Sequence, residues 1–219
     1  MARDPLAAAP RPRPPRQSGS ETRDQIVDAA VRCFAARGFH GTTTREVAGA
    51  AGLTEAALYR YFPSKEALYA AIIDRKMAAP EVTSQVEEAA AAGDDRAVFA
   101  GLARALLESL EGDPAFLRIL LYTGLEGHAL AEPFFATRVR RLRSFVTGYL
   151  ERRIREGALR AVDPILASRA LLGMLMDFAI TRDVLGQREQ YPYAIDEAAE
   201  LFVSIFLDGL RTRKGPADV

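Results

Sequence analysis

The feature of this sequence that most restricts its fold is the spacing of its apolar residues. Between Thr22 and the region of the C-terminus, they recur at intervals of three and four positions. This spacing places them on one face of a helix, whereas a strand would need strict alternation. No stretch of any length alternates, and no internal repeat is present. The pattern therefore predicts an all-α fold with helices near 22–37, 43–51, 54–62, 64–77, 81–92, 94–111, 114–126, 132–156, 163–186 and 195–212.

The first four predicted helices have recognisable start and stop signals. Their predicted caps are the capping boxes Thr22–Gln25 and Thr43–Glu46 and the single N-caps Thr54 and Ser64. Gly38 is expected to end the first helix in a left-handed conformation, and Gly52 to break the second. Two short helices joined by a tight turn, between two longer helices, indicate a helix-turn-helix unit in a small three- or four-helix bundle.

The second short helix of this unit has two different faces. Leu58, Tyr61 and Phe62 share one face and are predicted to join Leu53 in the core. The opposite, outward face is formed by Ala56, Tyr59 and Arg60, with Glu55 and Ala57 alongside. Small alanines allow close approach to a groove wall, while a tyrosine hydroxyl and an arginine fork suit phosphates and base edges.

The same helix is nearly neutral, since its single base, Arg60, is matched by Glu55. Positive charge can come instead from the helix starts, where free backbone N–H groups lie at the positive end of the helix dipole. Arg45 and Lys65 lie in the first turns of two of these helices. DNA binding is therefore compatible with the neutral composition. A second interpretation stays open, because helix-turn-helix geometry also occurs as simple packing.

Charge is distributed unevenly along a chain whose formal net charge is zero. Residues 1–20 carry a net charge of +3, residues 21–77 of +1 and residues 78–219 of −4. The basic end fits a front that faces nucleic acid. Residues 1–20 are rich in Arg and Pro and are predicted to be a disordered arm, either a passive leader or a segment that reaches phosphates or a minor groove.

Cysteine usage and hydropathy indicate where the protein is located. The single cysteine, Cys33, fits a reducing compartment, and its place on an apolar stripe predicts a buried, inert thiol. The N-terminus does not have the pattern of a secretory signal. No apolar run approaches the roughly 20 residues of a membrane helix. A cytoplasmic protein without a membrane partner is expected.

Residues 22–72, TRDQIVDAAVRCFAARGFHGTTTREVAGAAGLTEAALYRYFPSKEALYAAI, resemble the N-terminal domain of TetR-family transcriptional regulators. The segments AARGFHGTTTREVA, AGLTEAALYRYF and SKEAL carry the resemblance. It implies a homodimer that places two helix-turn-helix units, here residues 43–62, in successive major grooves of a near-palindromic operator. It also implies a C-terminal domain for ligand binding and dimerisation, and repression relieved by a small molecule.

The resemblance also implies a division of the chain and a set of DNA-facing residues. The expected parts are an arm (1–20), a DNA-binding domain (21–78), a regulatory and dimerisation domain (79–212) and a tail (213–219). The expected DNA-facing residues are Thr44, Arg45, Thr54, Glu55, Ala56, Ala57, Tyr59, Arg60 and Lys65. Many members of the family have glycine where this chain has Ala56, so the base preference of a relative cannot be assumed.

The C-terminal part resembles the family in helical layout, length and phrases such as GALRAVDP. A dimer interface formed by the last two helices would include Leu171, Met174, Leu175, Phe178, Phe202, Ile205 and Phe206. A pocket between the middle helices, suited to an apolar or aromatic effector, would be lined by Phe99, Leu102, Leu106, Phe116, Leu120, Phe134, Phe135, Phe145 and Tyr149. Simple core packing is the alternative for both sets.

The remaining candidate sites favour structural roles. His128 has acidic neighbours in sequence, but the only other histidine, His40, lies in the other predicted domain, so no metal or other cofactor is expected. The arginines between 138 and 155 are predicted to form the solvated side of an amphipathic helix, with a second DNA contact as the alternative. No catalytic pairing is recognisable. The alternatives to a regulator are an all-helical enzyme and an interaction protein with a vestigial helix-turn-helix. The operator, the effector and the regulated genes are not specified by the sequence.

Overall fold

The computed structural model describes residues 19–211, which form helices joined by short turns and contain no β-strand. The N-terminal helices are α1 (Gly19–Arg37), α2 (Thr44–Ala50), α3 (Glu55–Tyr59) and α4 (Lys65–Met77). A 3₁₀ turn (Val82–Val86) leads to α5 (Glu87–Ala92), α6 (Asp95–Gly112) and α7 (Pro114–Glu126). The last are α8 (Glu132–Phe134), α9 (Arg140–Arg155), α10 (Pro164–Ala179) and α11 (Ile195–Leu210), with π-helical segments at Phe135–Val139 and Ile180–Val184. The predicted all-α fold is confirmed.

Helix α1 begins three residues earlier than the sequence predicts. Gly19 and Ser20 are already helical, while the rest of the predicted arm and the predicted tail, 213–219, lie outside the described residues. The predicted capping box at Thr22 and Gln25 is wrong, because both residues lie inside α1. Gln25 Nε2 instead donates to the carbonyl oxygen of Ala51 at 3.2 Å, which ties α1 to the end of α2.

The other three predicted helix starts are confirmed. In the capping box of α2, the Thr43 hydroxyl accepts from the N–H of Glu46 at 3.2 Å, and Glu46 Oε2 accepts from the N–H of Thr43 at 2.8 Å. This backbone hydrogen bond from Thr43 is the largest cause that lowers the pKa of Glu46 below its usual value. The Thr54 and Ser64 hydroxyls cap α3 and α4 in the same way.

The buried apolar residues form two clusters, and α7 contributes to both. The first cluster joins α1–α4 and includes Phe34, Leu58 and Tyr69, with Phe116 and Ile119 of α7. The second joins α6, α9, α10 and α11 and takes in Leu117 of the same helix. A hydrogen bond between the hydroxyls of Tyr69 and Thr123 adds a polar contact between α4 and α7. Movement of α7 would therefore disturb both cores at once.

One helix departs from the expectation drawn from hydropathy. Helix α10 and the π-helical segment after it form one helix, Pro164–Val184, that is long and apolar enough to cross a membrane by length and composition alone. One side of α10 packs against α6, α9 and α11. Only 28% of its 18-residue apolar stretch is buried, so an apolar surface remains uncovered in the monomer.

Candidate DNA-binding site

The helix-turn-helix consists of α2, a turn at Gly52 and α3, and it is anchored by Leu58, which is fully buried. Gly52 has a φ of +70°, a conformation that glycine adopts without steric cost. The N–H of Leu53 closes the turn by donating to the Ala48 carbonyl at 2.9 Å. The exposed residues of the α3 segment are Thr54, Ala56, Tyr59 and Arg60. The structure therefore places outward the face of Ala56, Tyr59 and Arg60 that the sequence predicts to contact DNA, hereafter the reading face.

One residue of this segment was assigned wrongly. Helix α3 ends at Tyr59 rather than near Phe62, so Tyr61 lies in the turn that follows. Its side chain is 36% exposed, whereas Phe62 is buried at 2%. Both residues lie beyond the end of α3, where helical spacing no longer determines which side chain turns inward.

A hydrogen-bonded network connects α2 and α3 beside the reading face. The Thr44 hydroxyl lies 2.6 Å from Glu55 Oε1 and 3.1 Å from the Tyr59 hydroxyl. Because the Glu55 carboxylate can only accept, Thr44 donates to it and Tyr59 donates to Thr44. Arg45 Nε lies 3.5 Å from Glu55 Oε2, while the Arg45 side chain is 87% exposed. Glu55 therefore connects the side chains of Thr44, Tyr59 and Arg45, a connection that the sequence pattern does not predict.

Lys65 is held differently from the other predicted DNA-facing residues. Its Nζ donates to the carbonyl oxygens of Phe39 at 2.7 Å and Thr42 at 2.9 Å, and lies 4.2 Å from the centre of the Phe39 ring. Two of its three donors are thus used inside the protein. Lys65 stays partly exposed, so its predicted contact with DNA remains a prediction. The structure adds a role that the sequence does not indicate, because the ammonium fixes the loop that leads into α2.

The same loop is held from the other side by a residue that sequence reasoning missed. Glu126, at the end of α7, accepts from the N–H groups of Phe39 at 3.0 Å and His40 at 3.2 Å. Gly38 has a φ of +73°, as predicted for a left-handed C-cap, and a Cβ there would lie 2.9 Å from Cδ1 of Tyr122. The Glu126 carboxylate lies closer still. No local pattern marks Glu126, because its partners lie 86 and 87 residues earlier.

A second site, a cavity of about 340 Å³, lies beside the end of α4, between α6, α7 and the segment before α9. Five of the nine predicted lining residues border it: Leu106, Phe116, Leu120, Phe134 and Phe135. The prediction is wrong for the other four, Phe99, Leu102, Phe145 and Tyr149, which do not border the cavity. They lie in or against the second core, where the Phe99 and Tyr149 rings meet at 5.5 Å. Helical spacing indicates which residues turn inward, but not which inward residues border a void.

The seven predicted interface residues divide between core and surface. Leu171 and Leu175 are 0% exposed, and Phe178 and Phe206 are buried at 8% and 7%. These four assignments are corrected, because a side chain that the monomer already buries has no surface to offer a partner. Ile205 is 55% exposed, while Met174 and Phe202 are half-buried. Further apolar side chains of α10 and α11 are exposed, namely Ile165, Leu166 and Leu201.

The histidines and the arginine cluster have structural partners. His128 Nε2 lies 3.2 Å from Glu126 Oε2, and its ring packs at 5.2 Å from Phe39. Among residues 19–211 no group of three or more His, Cys, Asp or Glu side chains could hold a metal ion. The arginines do not all lie on a solvated face: the Arg138 side chain is only 14% exposed, and Arg153 pairs with Asp95 at 2.7 Å.

Sequence comparison identifies both halves of the chain. Residues 26–72 match the family model for bacterial regulatory proteins of the tetR family, and residues 98–209 match that for the C-terminal domain of AefR-like transcriptional repressors. The HTH-type transcriptional repressor KstR2 of Rhodococcus jostii (strain RHA1) is 30% identical over 197 residues, which cover 87% of this chain and 92% of that protein.

Solved structures agree with these matches over nearly the whole chain. The TetR family transcriptional regulator PfmR from Thermus thermophilus superposes with a TM-score of 0.66 and 26% identity, covering 85% of this chain and 99% of that one. A TetR-like transcriptional regulator from Rhodococcus sp. RHA1 gives a TM-score of 0.65 and 25% identity, covering 89% and 98%. With an N-terminal helix-turn-helix and a C-terminal helical part that both match, this protein is a DNA-binding transcriptional regulator, not an enzyme, and belongs to the TetR family.

Proposed function

We propose that this protein is a homodimeric repressor that binds a near-palindromic operator and is released from it by a small, largely apolar effector. The observation that carries the proposal is the reading face of α3, which is exposed while its anchor, Leu58, is completely buried. A rigid scaffold that presents small and polar side chains at its surface is what entry into a major groove requires. A regulator of this kind acts where the DNA is, and we place it in the cytoplasm.

The DNA contacts are proposed to come from residues 21–78, and the regulatory and dimer contacts from residues 79–212. All buried residues of the second cluster lie in 79–212, whereas the first cluster joins residues 26–73 to a few residues from α7 and the turn after it. Tyr59 and Arg60 are the proposed centre of the contact, since both are exposed, at the last residue and the C-cap of α3. Thr44, Arg45, Thr54, Ala56 and Ala57 would flank them. Glu55 and Lys65 would act indirectly, through the side chains and the loop that they hold.

Operator binding can be tested by fluorescence anisotropy with the DNA upstream of the protein's own gene, titrated at several salt concentrations. We expect one preferred site with an inverted repeat and a steep loss of affinity with salt. Arg60→Ala should weaken binding and relax the sequence preference. Arg141→Ala is the matched control, since Arg141 is a 61% exposed arginine on α9. Binding of equal strength to every DNA fragment would contradict the proposal and favour a vestigial helix-turn-helix.

Dimerisation is proposed to use the uncovered side of α10 and α11. Ile165, Leu166, Leu201 and Ile205 are each more than half exposed in the monomer. Large apolar side chains clustered on two neighbouring helices are typical of a surface that a partner covers. A pair of such surfaces would form a four-helix interface related by a twofold axis. This arrangement also accounts for an apolar helix, Pro164–Val184, of which only a minor part is buried within one chain.

The interface can be tested by sedimentation velocity at micromolar concentration. We expect a dimer for the native protein and a monomer for Ile205→Asp, because a carboxylate would be buried without a partner. The control is Leu125→Asp, since Leu125 is an 85% exposed leucine on α7 and not on either helix of the proposed interface. A native protein that sediments as a monomer would contradict the proposal. So would a loss of dimer in the control alone.

The effector is proposed to bind in the cavity beside the end of α4. A volume of about 340 Å³ falls within the range of small-molecule sites, which is roughly 300–1,000 Å³. Most of the lining is apolar, from Leu106 and Leu110 of α6 to Phe116, Leu117 and Leu120 of α7. Because α7 also packs against α1 and holds the loop before α2, an effector that shifts α7 would disturb the reading face.

A further inference from the structure

The charged side chains that line the cavity differ in whether their polar atoms have ion-pair or hydrogen-bond partners. Asp113 pairs with Lys76 at 2.5 Å and also accepts from the N–H of Phe116 at 3.0 Å, where it caps α7. Glu81 is in contact with the guanidinium of Arg141 and lies 3.5 Å from Nη1 of Arg138. Both acids that line the cavity therefore already have cationic partners. A ligand cation would have to displace one of these partners.

Arg138 differs from the other charged residues of the lining. It lies in the π-helical segment before α9, lines the cavity and has a side chain that is only 14% exposed. Its Nη2 donates to the carbonyl oxygens of Met77 and Ala79, at the end of α4. Its Nε is buried and has no hydrogen-bond partner among the described residues. A buried donor without an acceptor is costly, and an acceptor on a bound ligand would remove this cost.

The geometry of the guanidinium determines which acceptor fits best. Nε and Nη2 form one edge of the planar group, and two parallel N–H groups on such an edge match the two oxygens of a carboxylate. A neutral hydroxyl could accept from Nε, but it carries no charge to pair with the guanidinium. Arg143 also lines the cavity, but its side chain is exposed, so water competes there for any ligand anion.

We propose that the effector is an amphipathic anion, with an apolar body in the cavity and one carboxylate-like group on the Nε–Nη2 edge of Arg138. The proposal rests on the effector site proposed above and names the class of ligand for it. Such an anion would compete with the carbonyls of Met77 and Ala79 for Nη2. The residue that recognises the charge is thus also the one that holds the end of α4.

The ligand class can be tested with three probes that share a ten-carbon chain: decanoate, decan-1-ol and decyltrimethylammonium. Their affinities for the full-length protein are measured at neutral pH by displacement of the neutral dye N-phenyl-1-naphthylamine. We expect decanoate to bind at least about tenfold more tightly than decan-1-ol, a difference of about 1.4 kcal/mol. Decyltrimethylammonium should bind most weakly, because it places a positive charge beside Arg138. Equal affinities for decanoate and decan-1-ol would overturn the proposal.

Three variants assign the preference to a residue. In Arg138→Gln the advantage of decanoate over decan-1-ol should fall to about twofold or less. In Arg141→Gln it should remain, because Arg141 contacts Glu81 but does not line the cavity. Arg143→Gln should also retain it. Loss of the preference in Arg143→Gln, with retention in Arg138→Gln, would overturn the assignment to Arg138.

The outcomes separate this inference from the function on which it rests. If Arg138→Gln does not fold, as judged by circular dichroism, the three probes on the native protein still decide the ligand class. If none of the probes binds, both this proposal and the effector site fail. If decanoate binds selectively but the protein has no preferred DNA site, the repressor proposal fails and this one stands. If decan-1-ol equals decanoate while operator binding is specific, only this proposal fails.

Discussion

Replacing Lys65 with methionine separates two roles that a lysine at the start of α4 could have. In the structure its ammonium donates to the carbonyls of Phe39 at 2.7 Å and Thr42 at 2.9 Å and lies over the Phe39 ring. Methionine keeps most of the apolar stem and removes the charge and both hydrogen bonds. If the lysine holds the loop, the substitution acts on stability. If it contacts a phosphate, the substitution acts on the salt dependence of DNA binding.

The size of the stability effect follows from the two hydrogen bonds. A hydrogen bond to a charged group contributes ~1.5–3 kcal/mol. Since Lys65 is only half-buried, water can replace part of this interaction in the variant. We therefore expect Lys65→Met to lower the free energy of unfolding by about 2–3 kcal/mol, below the sum of two full contributions. For a chain of this size, 1 kcal/mol corresponds to a shift in Tm of roughly 2–4 °C.

Urea denaturation monitored by circular dichroism measures the free energy of unfolding. Fluorescence anisotropy with operator DNA measures the salt dependence of DNA binding. Lys65→Met should weaken DNA binding while the slope of log K against log salt stays the same, because no phosphate contact is lost. Arg60→Met is the matched control. It should keep the native stability and reduce the slope by about 0.9 for each phosphate contact removed. A variant at Lys65 with native stability and a reduced slope would refute the internal role.

Three further outcomes follow from the structure. Gly38→Ala should destabilise clearly more than Gly52→Ala in urea denaturation, because both glycines have positive φ but only the first lacks space for a Cβ; equal losses would contradict the close approach. Glu46→Gln should lower the free energy of unfolding at neutral pH and have the same stability as the native protein in acid. The folded protein lowers the pKa of Glu46, so the ionised carboxylate stabilises the fold above the ordinary pKa of a glutamate, and this stabilisation is lost as the pH falls through the lowered pKa. A constant difference across the pH range would exclude this origin. Glu55→Ala should free Arg45 and increase binding to nonspecific DNA, measured by anisotropy with an unrelated duplex; weaker nonspecific binding would show that Glu55 mainly holds the reading face together.

The local signals of the sequence predict the helices and the reading face well. Thr43 with Glu46, and the single caps Thr54 and Ser64, are confirmed because each cap joins groups three residues apart. The error at Thr22 has the same local origin: the spacing is right for a cap, but α1 continues past it to Gly19. The prediction that Tyr61 joins the core is wrong, because a periodic pattern does not show where its helix ends.

The cavity and the proposed interface show that helical periodicity cannot predict which apolar side chains are buried in the core, border a void or remain exposed. Leu171 and Ile205 both lie on apolar stripes, yet the first is 0% and the second 55% exposed. Phe99 and Phe116 are both inward-facing aromatic residues, yet only Phe116 borders the cavity. In each pair the difference depends on how neighbouring helices cross, which is set by side chains on several helices together.

By itself, the sequence determined that the chain is helical, where most helices begin, and which side of α3 faces outward, because these features depend on residues only a few positions apart. Only the tertiary structure decided the partners of the long polar side chains. Lys65 reaches back 26 residues to Phe39, Arg138 reaches 61 residues to Met77, and Glu126 holds a loop 87 residues earlier. A charged side chain on an amphipathic helix can face water or a distant backbone, and the packing of helices far apart in sequence decides between them.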